Sequence, residues 1–509
     1  MKRASCLIAF VILTGALTDE SQAASTPTPP NILLIYTDDQ SYKTVGCYPE
    51  SPRWVKTPNL DRLAATGVRF RGAYLGSWCL PSRAAILTGR QPHGWESMKM
   101  EGEYPGSSYD PRQCPFFPAV FRQRGYHTAQ IGKWHTGVDA GWGRDWDYQV
   151  VWNRPKHPEN AGAYYERQLL AINGVEQWVD GYPADNYTQW ATEYIRGRNR
   201  DASKPWFLWL CYGSVHGPAK PAARHKGLYK DATVTEPADL FPPRPGKPDY
   251  LEKTQAWVRD ADGTAIATRS GEAFGDPSRQ GRLTYADWVR QVNECVPAID
   301  EGVGKLMDAL RESGQLDNTL IVYTADQGFA MGEHGFRTKL GPWDANYRSP
   351  LIVSMPKRFP TGKYCDAAVN ASDLVATFCA MAGITLPWKT HGRDLTPLLK
   401  KPDTPWKHPC LYEHTGQRYG SDVAATLRDR PAEAVHNNVP WYAAVVHDGF
   451  KYIRYLAPGV GEELYDLRRD PEELVNLIGD AKHGSRLGQL RKAMDAELQR
   501  TDAGFVGKR

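Results

Sequence analysis

Short apolar runs alternate with amphipathic segments along most of this chain. Residues 31–36, 206–212, 319–324 and 351–355 are almost continuously apolar, and 126–131 follows a short helical pattern that ends at Gly125. Such runs are typical of strands that are buried on both faces of a sheet. Strands that alternate with helices predict an α/β domain with a large mixed, mostly parallel sheet sandwiched by helices.

Two of the predicted helices have clear sequence signals. The longest spans 284–313, where Trp288, Val292, Val296 and later apolar residues recur every three or four positions. A shorter helix is predicted to begin near Pro81 and to run to Thr88. The region 219–281 is rich in proline, glycine and charge, which predicts long loops.

The character of the chain changes after residue 400. Residues 400–405, Lys-Lys-Pro-Asp-Thr-Pro, resemble a linker. Two short strand patterns and a polar helix come after them. We therefore expect a larger α/β domain over residues 25–400 and a smaller α+β C-terminal domain over residues 401–509.

The N-terminus has the pattern of a secretory signal peptide. A basic start is followed by an apolar run over residues 6–17 and by small residues at Ala23 and Ala24. The run is too short to cross a bilayer, and no later segment reaches that length. We expect residues 1–24 to be removed and the protein to be secreted or periplasmic, without a membrane span.

The amino-acid composition narrows the range of possible functions less than the pattern of apolar residues does. The formal net charge of +4 over 509 residues is too small to indicate a nucleic-acid partner. The 17 Trp and 26 Tyr residues favour either sugar-binding surfaces or additional packing. Beyond Cys6, eight cysteines are scattered without any CxxC pair, which argues against zinc ribbons and leaves disulfides and free thiols open.

Reactive side chains come directly after four of the predicted strands. In chain order they are Asp38 with Asp39, Lys133 with His135, His216, and Asp326 with Gln327. In open α/β sheets, ligands bind beyond the carboxyl ends of the strands. The sequence therefore predicts that these four groups converge on one site.

A cysteine at the start of the predicted short helix adds a nucleophile to this set. Cys79 begins the block Cys-Leu-Pro-Ser-Arg, in which Arg83 lies one helical turn further along the same side. The N-terminus of a helix attracts anions through its free N–H groups and its dipole. A nucleophile beside a fixed cation suits attack on an oxyanionic ester, although a lone cysteine is more often a buried structural residue.

These motifs together resemble the sulfatase family of the alkaline-phosphatase superfamily. The resemblance extends over nearly the whole mature chain. The segments that carry it are 31–39, the block 79–83 with its Leu-Thr-Gly-Arg tail, Gly132-Lys-Trp-His135, Ser214-Val-His216, Thr324-Ala-Asp-Gln-Gly328, Gly332-Glu-His-Gly335 with Lys339, and the C-terminal Glu463-Leu-Tyr-Asp-Leu467. The resemblance implies an alkaline-phosphatase-like fold and an arylsulfatase-like sulfuric ester hydrolase.

The resemblance also implies a modification, a metal ion and a role for each motif residue. Cys79 would be oxidised to formylglycine by a formylglycine-generating enzyme, and its hydrated aldehyde would supply the nucleophile. One divalent cation would bind Asp38, Asp39, Asp326 and Gln327, with the modified Cys79 as a further ligand; the oxygen ligands suit Ca²⁺ or Mg²⁺ and not zinc, and the resemblance favours Ca²⁺. The catalytic residues would be Cys79, Arg83, Lys133, His135, His216 and Lys339.

The chain departs from the family pattern at two places. Gln327 occupies a metal position where asparagine or histidine is common, and its longer side chain changes how the amide reaches the ion. The segment after Lys339 lacks the Tyr-Glu pair that usually precedes the family's Arg-x-Pro.

The sequence leaves the substrate and two alternative functions open. The substrate implied is a sulfated small molecule or glycan, because Trp142, Trp146 and Trp152 with nearby cations suit a sulfated carbohydrate, and Arg90 and His93 are candidates for the substrate mouth. One alternative is a phosphonate or phosphodiester hydrolase of the same superfamily. The other is a non-catalytic protein that binds sulfated glycans.

Overall fold

The computed structural model describes residues 29–100, 106–268 and 283–505. The predicted signal peptide lies outside these residues. Among the described residues, no helix combines the length and the apolar character that crossing a bilayer requires. The eight cysteines in these ranges are all free thiols, so the disulfide alternative is wrong.

The described ranges contain strands and helices in regular alternation. The strands are β1 (Asn31–Thr37), β2 (Gly67–Tyr74), β3 (His127–Trp134), β4 (Tyr148–Asn153), β5 (Gln168–Ile172), β6 (Val175–Val179), β7 (Trp206–Cys211), β8 (Trp257–Arg259), β9 (Ala265–Ala267), β10 (Thr319–Ala325), β11 (Arg348–Ser354), β12 (Lys363–Asn370), β13 (Cys410–His414), β14 (Val435–His436), β15 (Val439–Pro440), β16 (Tyr442–His447), β17 (Phe450–Tyr455) and β18 (Glu463–Asp466). The helices are α1 (Pro58–Ala65), α2 (Cys79–Thr88), α3 (Phe117–Gln123), α4 (Pro183–Ile195), α5 (Tyr250–Lys253), α6 (Tyr285–Glu294), α7 (Val296–Glu312), α8 (Asp344–Tyr347), α9 (Ala371–Ala382), α10 (Thr396–Lys400), α11 (Ser421–Asp429) and α12 (Gly484–Arg500).

Ten of these strands form one mixed sheet in the order β12–β2–β11–β10–β1–β7–β3–β4–β5–β6. Its central strands β10, β1, β7, β3 and β4 are parallel, whereas β11, β5 and β6 run antiparallel to their neighbours. The parallel centre places five carboxyl ends side by side at one edge of the sheet. This arrangement confirms the predicted α/β architecture.

Both faces of the large sheet are buried. Along β1, Ile32 and Leu34 pack into one apolar core while Leu33 and Ile35 pack into the other. Helices α2 and α9 contact each other on the first face, and α1 and α4 contact α7 on the second. Alternate residues therefore reach opposite cores, which explains why the strands are apolar at nearly every position.

The prediction of a single helix over 284–313 is wrong in one respect, because this segment forms two helices. Helix α6 ends at Glu294, α7 begins at Val296, and Cys295 lies between them. Pro297 has no N–H for a helical hydrogen bond, and its ring clashes with the carbonyl four residues earlier. Proline is tolerated only in the first turn of a helix, so a new helix begins just before it.

A second, four-stranded antiparallel sheet, β13–β16–β17–β18, lies in the C-terminal part. One face packs against α12 through Leu490 and Met494. The other face contributes Tyr412, Tyr442 and further residues to the same core that covers the large sheet. The smaller sheet is therefore packed directly onto the α/β part.

A buried lysine connects the two sheets electrostatically. Lys451 on β17 is fully buried and lies 2.5 Å from Asp344 Oδ1 at the start of α8 and 2.8 Å from Glu473 Oε1. Tyr74 on β2 also donates to Asp344, over 2.8 Å. Removing one member of such a group leaves buried charge without compensation.

We predict that Lys451→Ala lowers the free energy of unfolding by about 3–5 kcal/mol, because Asp344 and Glu473 lose their cation. Urea unfolding followed by circular dichroism measures the loss. Lys492→Ala on the exposed side of α12 is the matched control and is expected to change stability by less than about 0.5 kcal/mol. Equal effects of the two substitutions would show that the buried group does not stabilise the packing of the two sheets.

Candidate active site

The four predicted groups of reactive side chains meet at the carboxyl edge of the large sheet. Asp38 and Asp39 follow β1, and Asp326 and Gln327 follow its neighbour β10. Lys133 lies on β3, His135 follows that strand, and His216 lies five residues beyond the end of β7. The structure thus brings the sequence-predicted residues together because these strands are adjacent and parallel.

Three carboxylates form the centre of this edge. Asp38, Asp39 and Asp326 are buried, and one oxygen of each lies within 4.8 Å of the others. The backbone N–H of Asp39 donates to Asp326 Oδ1 over 3.0 Å. Asp39 Oδ2 is buried and has no hydrogen-bond partner among the described residues. Buried oxygens in this state are costly, so the cluster is suited to binding a cation.

Burial and neighbouring charges shift the pKa values of these carboxyls in different directions. Burial and the neighbouring charge of Asp38 raise the pKa of Asp326 to about 8. Burial also raises the pKa of Asp39, although Lys339 opposes the shift. Burial acts in the same direction on Asp38, but Lys133, together with the charges of Arg83 and Lys339, outweighs it and holds the pKa of Asp38 well below its usual value. The cluster therefore requires positive charge to remain ionised.

Cys79 is the first residue of α2 and points into this cluster. Its Sγ lies 3.3 Å from Asp38 Oδ1 and 3.2 Å from Lys339 Nζ. The helix begins at Cys79 itself and not near Pro81 as predicted, because proline is tolerated in the first turn. The thiol therefore lies at the helix N-terminus and beside the carboxylates.

Three cations surround Cys79 and the carboxylates. Arg83, one turn along α2, is fully buried and donates over 3.2 Å to both Asp326 Oδ2 and the carbonyl of Lys133. Lys133 donates to Asp38. Lys339 donates to Asp39 Oδ1 over 2.6 Å, and the anionic groups around it hold its pKa well above the usual value despite its burial.

The two histidines flank the cluster as buried, neutral rings. His216 Nδ1 lies 2.6 Å from the carbonyl of Gly217, so Nδ1 carries the proton and Nε2, 3.5 Å from Asp39 Oδ2, faces the site. Burial and Lys339 lower the pKa of His216 well below its usual value. Burial and Arg154 do the same to the pKa of His135.

Comparison with known proteins decides the family. The family model described as Sulfatase matches residues 30–384, which contain every residue of the cluster. The chain belongs to the sulfatase family. A second model, described as N-sulphoglucosamine sulphohydrolase, C-terminal, matches residues 332–501. The family is one of sulfuric ester hydrolases, which confirms the enzyme class that the motifs predict.

Individual relatives of this sulfatase agree with that membership. Arylsulfatase A from Homo sapiens is 31% identical over 89% of this chain and 84% of its own length. An N-acetylglucosamine-6-O-sulfatase from Bacteroides thetaiotaomicron is 28% identical over 92% of this chain and 86% of its own. A structure solved in complex with its substrate D-glucosamine-2-N,6-O-disulfate superposes with a TM-score of 0.77 at 25% identity, covering 95% of this chain and all of its own.

A phosphonate monoester hydrolase from Silicibacter pomeroyi has the same fold. It superposes with a TM-score of 0.70 at 21% identity and covers 94% of this chain and 97% of its own. At this identity the similarity concerns the fold alone.

The residues of the sulfatase fit the divalent cation that the family implies. Asp38, Asp39 and Asp326 offer carboxylate oxygens, which hard cations such as Ca²⁺ prefer. Gln327 extends the set: its Nε2 donates to Asp39, and Ser82 Oγ donates to its Oε1 over 3.4 Å. A turn of the amide exchanges oxygen and nitrogen at almost equal shape, so Gln327 can present an oxygen to the cluster.

Two functional candidates were not predicted from the sequence. Arg154 lies 3.2 Å from His135 Nδ1 through its Nη1. The Tyr164 ring stacks on His216 with 4.1 Å between centroids and an angle of 4°. Arg154 directly follows β4, which was not predicted as a strand, so the strand-end signal that identified the other residues was present but not recognised.

Two expectations about the surroundings of the site are wrong. Trp146 and Trp152 are fully buried in packing, and only Trp142 is exposed, so these three residues do not form a sugar-binding surface. His93 does not line the substrate mouth, because it is buried and bound to Glu413 at 2.9 Å and to the carbonyl of Thr501 at 3.0 Å. It connects the end of α2 to the C-terminal part.

The environment of Cys79 predicts an inert thiol wherever the residue is unmodified. Burial, assisted by Asp38, raises the pKa of Cys79 to about 12, so the thiol is protonated at pH 8. We predict that protein produced without the maturation enzyme and held in a chelator resists iodoacetamide at Cys79 until guanidinium is added. Peptide mass spectrometry measures the alkylation. Modification of Cys79 in the folded protein at the rate of free glutathione would contradict this environment.

Proposed function

We propose that the chain is an exported sulfatase that hydrolyses sulfate esters of carbohydrates through a formylglycine made from Cys79 and one bound Ca²⁺. The observation that carries the proposal is the position of Cys79. Its Sγ lies at a helix N-terminus within 3.3 Å of both a cluster carboxylate and a lysine. A nucleophile at this position meets the substrate where the positive charges converge.

Two groups that the chain does not encode complete this site. Asp38, Asp39, Asp326 and Gln327 would hold the cation, with the modified residue 79 as a further ligand. When bound, the cation would neutralise sulfate oxygens, and the hydrated aldehyde at residue 79 would supply the attacking hydroxyl. A formylglycine-generating enzyme would act on the chain before it folds, since Cys79 is 2% exposed in the folded state.

The encoded cations bind and orient the sulfate. Arg83 stands one turn from residue 79 on the same helix, and Lys133 reaches Asp38 from β3. Both are buried, so their charges are poorly screened by solvent and act strongly on a nearby anion. They hold and polarise residue 79 and counteract the negative charge that develops on the sulfate.

Lys339, His216 and His135 have separate roles in the proton transfers of the proposed reaction. Lys339 is protonated and lies 3.2 Å from Cys79 Sγ, so it can bind the sulfate and supply a proton to the leaving oxygen. His216 is neutral in the free protein and assists from the opposite side of Asp39. Neutral His135 would be able to accept the proton of the remaining hydroxyl on the modified residue 79, which a protonated imidazole could not do.

The names of the relatives support a carbohydrate substrate. Two of them are an N-acetylglucosamine-6-O-sulfatase and a Delta 4,5-hexuronate-2-O-sulfatase from Bacteroides thetaiotaomicron, and the structure with a TM-score of 0.77 holds a sulfated glucosamine. We extend the class of substrate, and neither the sugar nor the sulfated position, to this chain.

The proposal also includes export of the protein and its division into two domains. Residues 1–24 would direct secretion or transport to the periplasm and be removed. Residues 25–400 would form the catalytic domain and residues 401–509 the C-terminal domain, a division supported by the second sheet beginning at Cys410.

We predict that the mature enzyme releases sulfate from a panel of sulfated monosaccharides far faster than it hydrolyses aryl phosphonate monoesters. The reason is that Lys339, Lys133 and Arg83 gather three positive charges around a single nucleophile, and a sulfate ester has three terminal oxygens whereas a phosphonate monoester has two. Ion chromatography of released sulfate and phosphonate measures both activities. A preference for the phosphonate would favour the alternative hydrolase, and binding of sulfated sugars without release would indicate a non-catalytic protein.

Removal of the metal is predicted to cost both activity and stability. Without a cation the three carboxylates repel one another, whereas Ca²⁺ at one hundred times its Kd would stabilise the fold by about 2.7 kcal/mol. Exhaustive chelation followed by calorimetry and assay measures both effects, and Ca²⁺ should restore both.

The matched variants for this prediction are Asp326→Ala, which should lose the Ca²⁺-dependent rise in Tm, and Asp429→Ala on the exposed end of α11, which should retain it. Full activity of protein that elemental analysis finds free of metal would refute the assignment.

A further inference from the structure

A cluster of aromatic rings lies beside the active site and takes no part in the proposed chemistry. We call it the Trp78 rim and define it as Trp78, His414, Gly416, His436 and Trp441. Trp78 directly precedes Cys79, whereas the other four residues come from the C-terminal part. The rim is therefore a place where the C-terminal part meets the start of α2 next to the nucleophile.

Ring contacts connect the rim to the catalytic residues. The Trp78 ring lies 6.2 Å from that of His135 and 5.5 Å from that of His436, measured between centroids. His436 therefore lies within about 12 Å of His135. This separation suits a sugar ring whose sulfate group is held at residue 79.

Three ring nitrogens of the rim lack a hydrogen-bond partner among the described residues. They are His414 Nε2, His436 Nδ1 and Trp441 Nε1. His414 and Trp441 are at most 2% exposed. Buried polar groups in folded proteins are usually satisfied, so three ring nitrogens in one cluster retain hydrogen-bonding capacity that the described residues do not use.

The neighbouring contacts hold the rim in place. Trp78 Nε1 donates to the carbonyl of Gly416 over 3.2 Å, and His414 Nδ1 lies 2.9 Å from Ser77 Oγ. Gly416 has a φ of +60°, and a Cβ there would lie 2.6 Å from Trp441 Nε1. A side chain at position 416 would thus press directly on one of the unpartnered nitrogens.

His436 is the one residue of the rim that keeps some exposed surface. It is half-buried and ends β14, just before the exposed turn Asn437–Asn438. Both asparagines have positive φ values, 49° and 63°, as a tight two-residue hairpin turn requires. On the far side, Tyr419 donates to the Gly416 carbonyl over 3.3 Å and lines a cavity of about 530 Å³.

The chemistry of the rim favours neutral hydroxyl groups over anions or metals. The burial of His436 lowers its pKa to about 4, and burial together with His436 holds the pKa of His414 well below its usual value, so both rings are uncharged at neutral pH. Uncharged imidazoles exchange hydrogen bonds with hydroxyls but give little attraction to a second sulfate. Two imidazoles without a carboxylate or thiolate are too few ligands for a zinc site.

We propose that the Trp78 rim is a subsite for the sugar ring that carries the sulfate ester, in which His436 exchanges a hydrogen bond with a free ring hydroxyl. Trp78 and His414 hold the His436 ring in position from either side, at 5.5 Å and 5.4 Å. This inference rests on the proposed function and extends it, because it assigns the recognition of an unsulfated hydroxyl to a residue of the C-terminal part.

The test combines two comparisons: the wild-type enzyme with a variant, and the parent sugar with its analogues. The sulfated monosaccharide that the wild-type enzyme cleaves best is compared with its monodeoxy analogues, each lacking one hydroxyl. We expect the wild type to lose about tenfold in kcat/KM on one analogue, as the loss of one hydrogen bond implies. His436→Phe keeps the ring but not the nitrogens, so it should not distinguish that analogue from the parent sugar.

Two further variants guard against indirect effects. His436→Gln restores a polar nitrogen and should recover part of the discrimination, which a merely structural role of the ring would not produce. His408→Phe, on an exposed segment before β13, is the matched control and should discriminate as the wild type does.

Each outcome decides between the two proposals. Discrimination by His436→Phe equal to that of the wild type on every analogue would overturn the subsite, even though sulfate is released normally. Failure of the wild type to release sulfate from any sugar of the panel would overturn the proposed function itself. Thermal unfolding of each variant confirms that the comparison is made between folded proteins.

Discussion

The repulsion between three buried carboxylates is the constraint on which the rest of this structure depends. Asp38, Asp39 and Asp326 lie within 4.8 Å of one another, away from solvent. Such a group is stable only if positive charge is close, and the chain supplies it from three elements: α2 with Arg83, β3 with Lys133, and the loop that carries Lys339. The same cations are then available to a sulfate ester, so one electrostatic arrangement serves both the fold and the proposed chemistry.

The large sheet brings these charged residues together. Four adjacent parallel strands end at one edge, and each delivers its reactive residues there with a rigid backbone. Helix α2 then places Cys79 beside the carboxylates at its first residue. The C-terminal part completes the site indirectly, because its four-stranded sheet packs into the same core and His436, on the separate β14–β15 pair, lies next to Trp78.

Much of this could be predicted from the sequence, because buried parallel strands have a continuous apolar pattern and their ends carry the reactive residues. The prediction failed where the pattern of apolar residues carries no information about the structure. Nothing in the spacing of apolar residues over 284–313 shows the break at Cys295, which depends on Pro297. Tyr164 on His216 is a contact between loops, and the burial of Trp146 depends on packing across the sheet. Trp78 and Gly416 of the Trp78 rim share a hydrogen bond, although they are 338 positions apart in the sequence. Only the tertiary structure brings such residues together.

The most direct test of the proposed mechanism is the mass of the peptide that contains residue 79, isolated from fully active enzyme. The mechanism requires an aldehyde at this position, because a buried thiol beside Asp38 has too high a pKa to act as a nucleophile. We predict that the peptide carries formylglycine and reacts with a hydrazide probe in proportion to the specific activity of the preparation. An unmodified Cys79 thiol in enzyme of full specific activity would contradict the formylglycine mechanism.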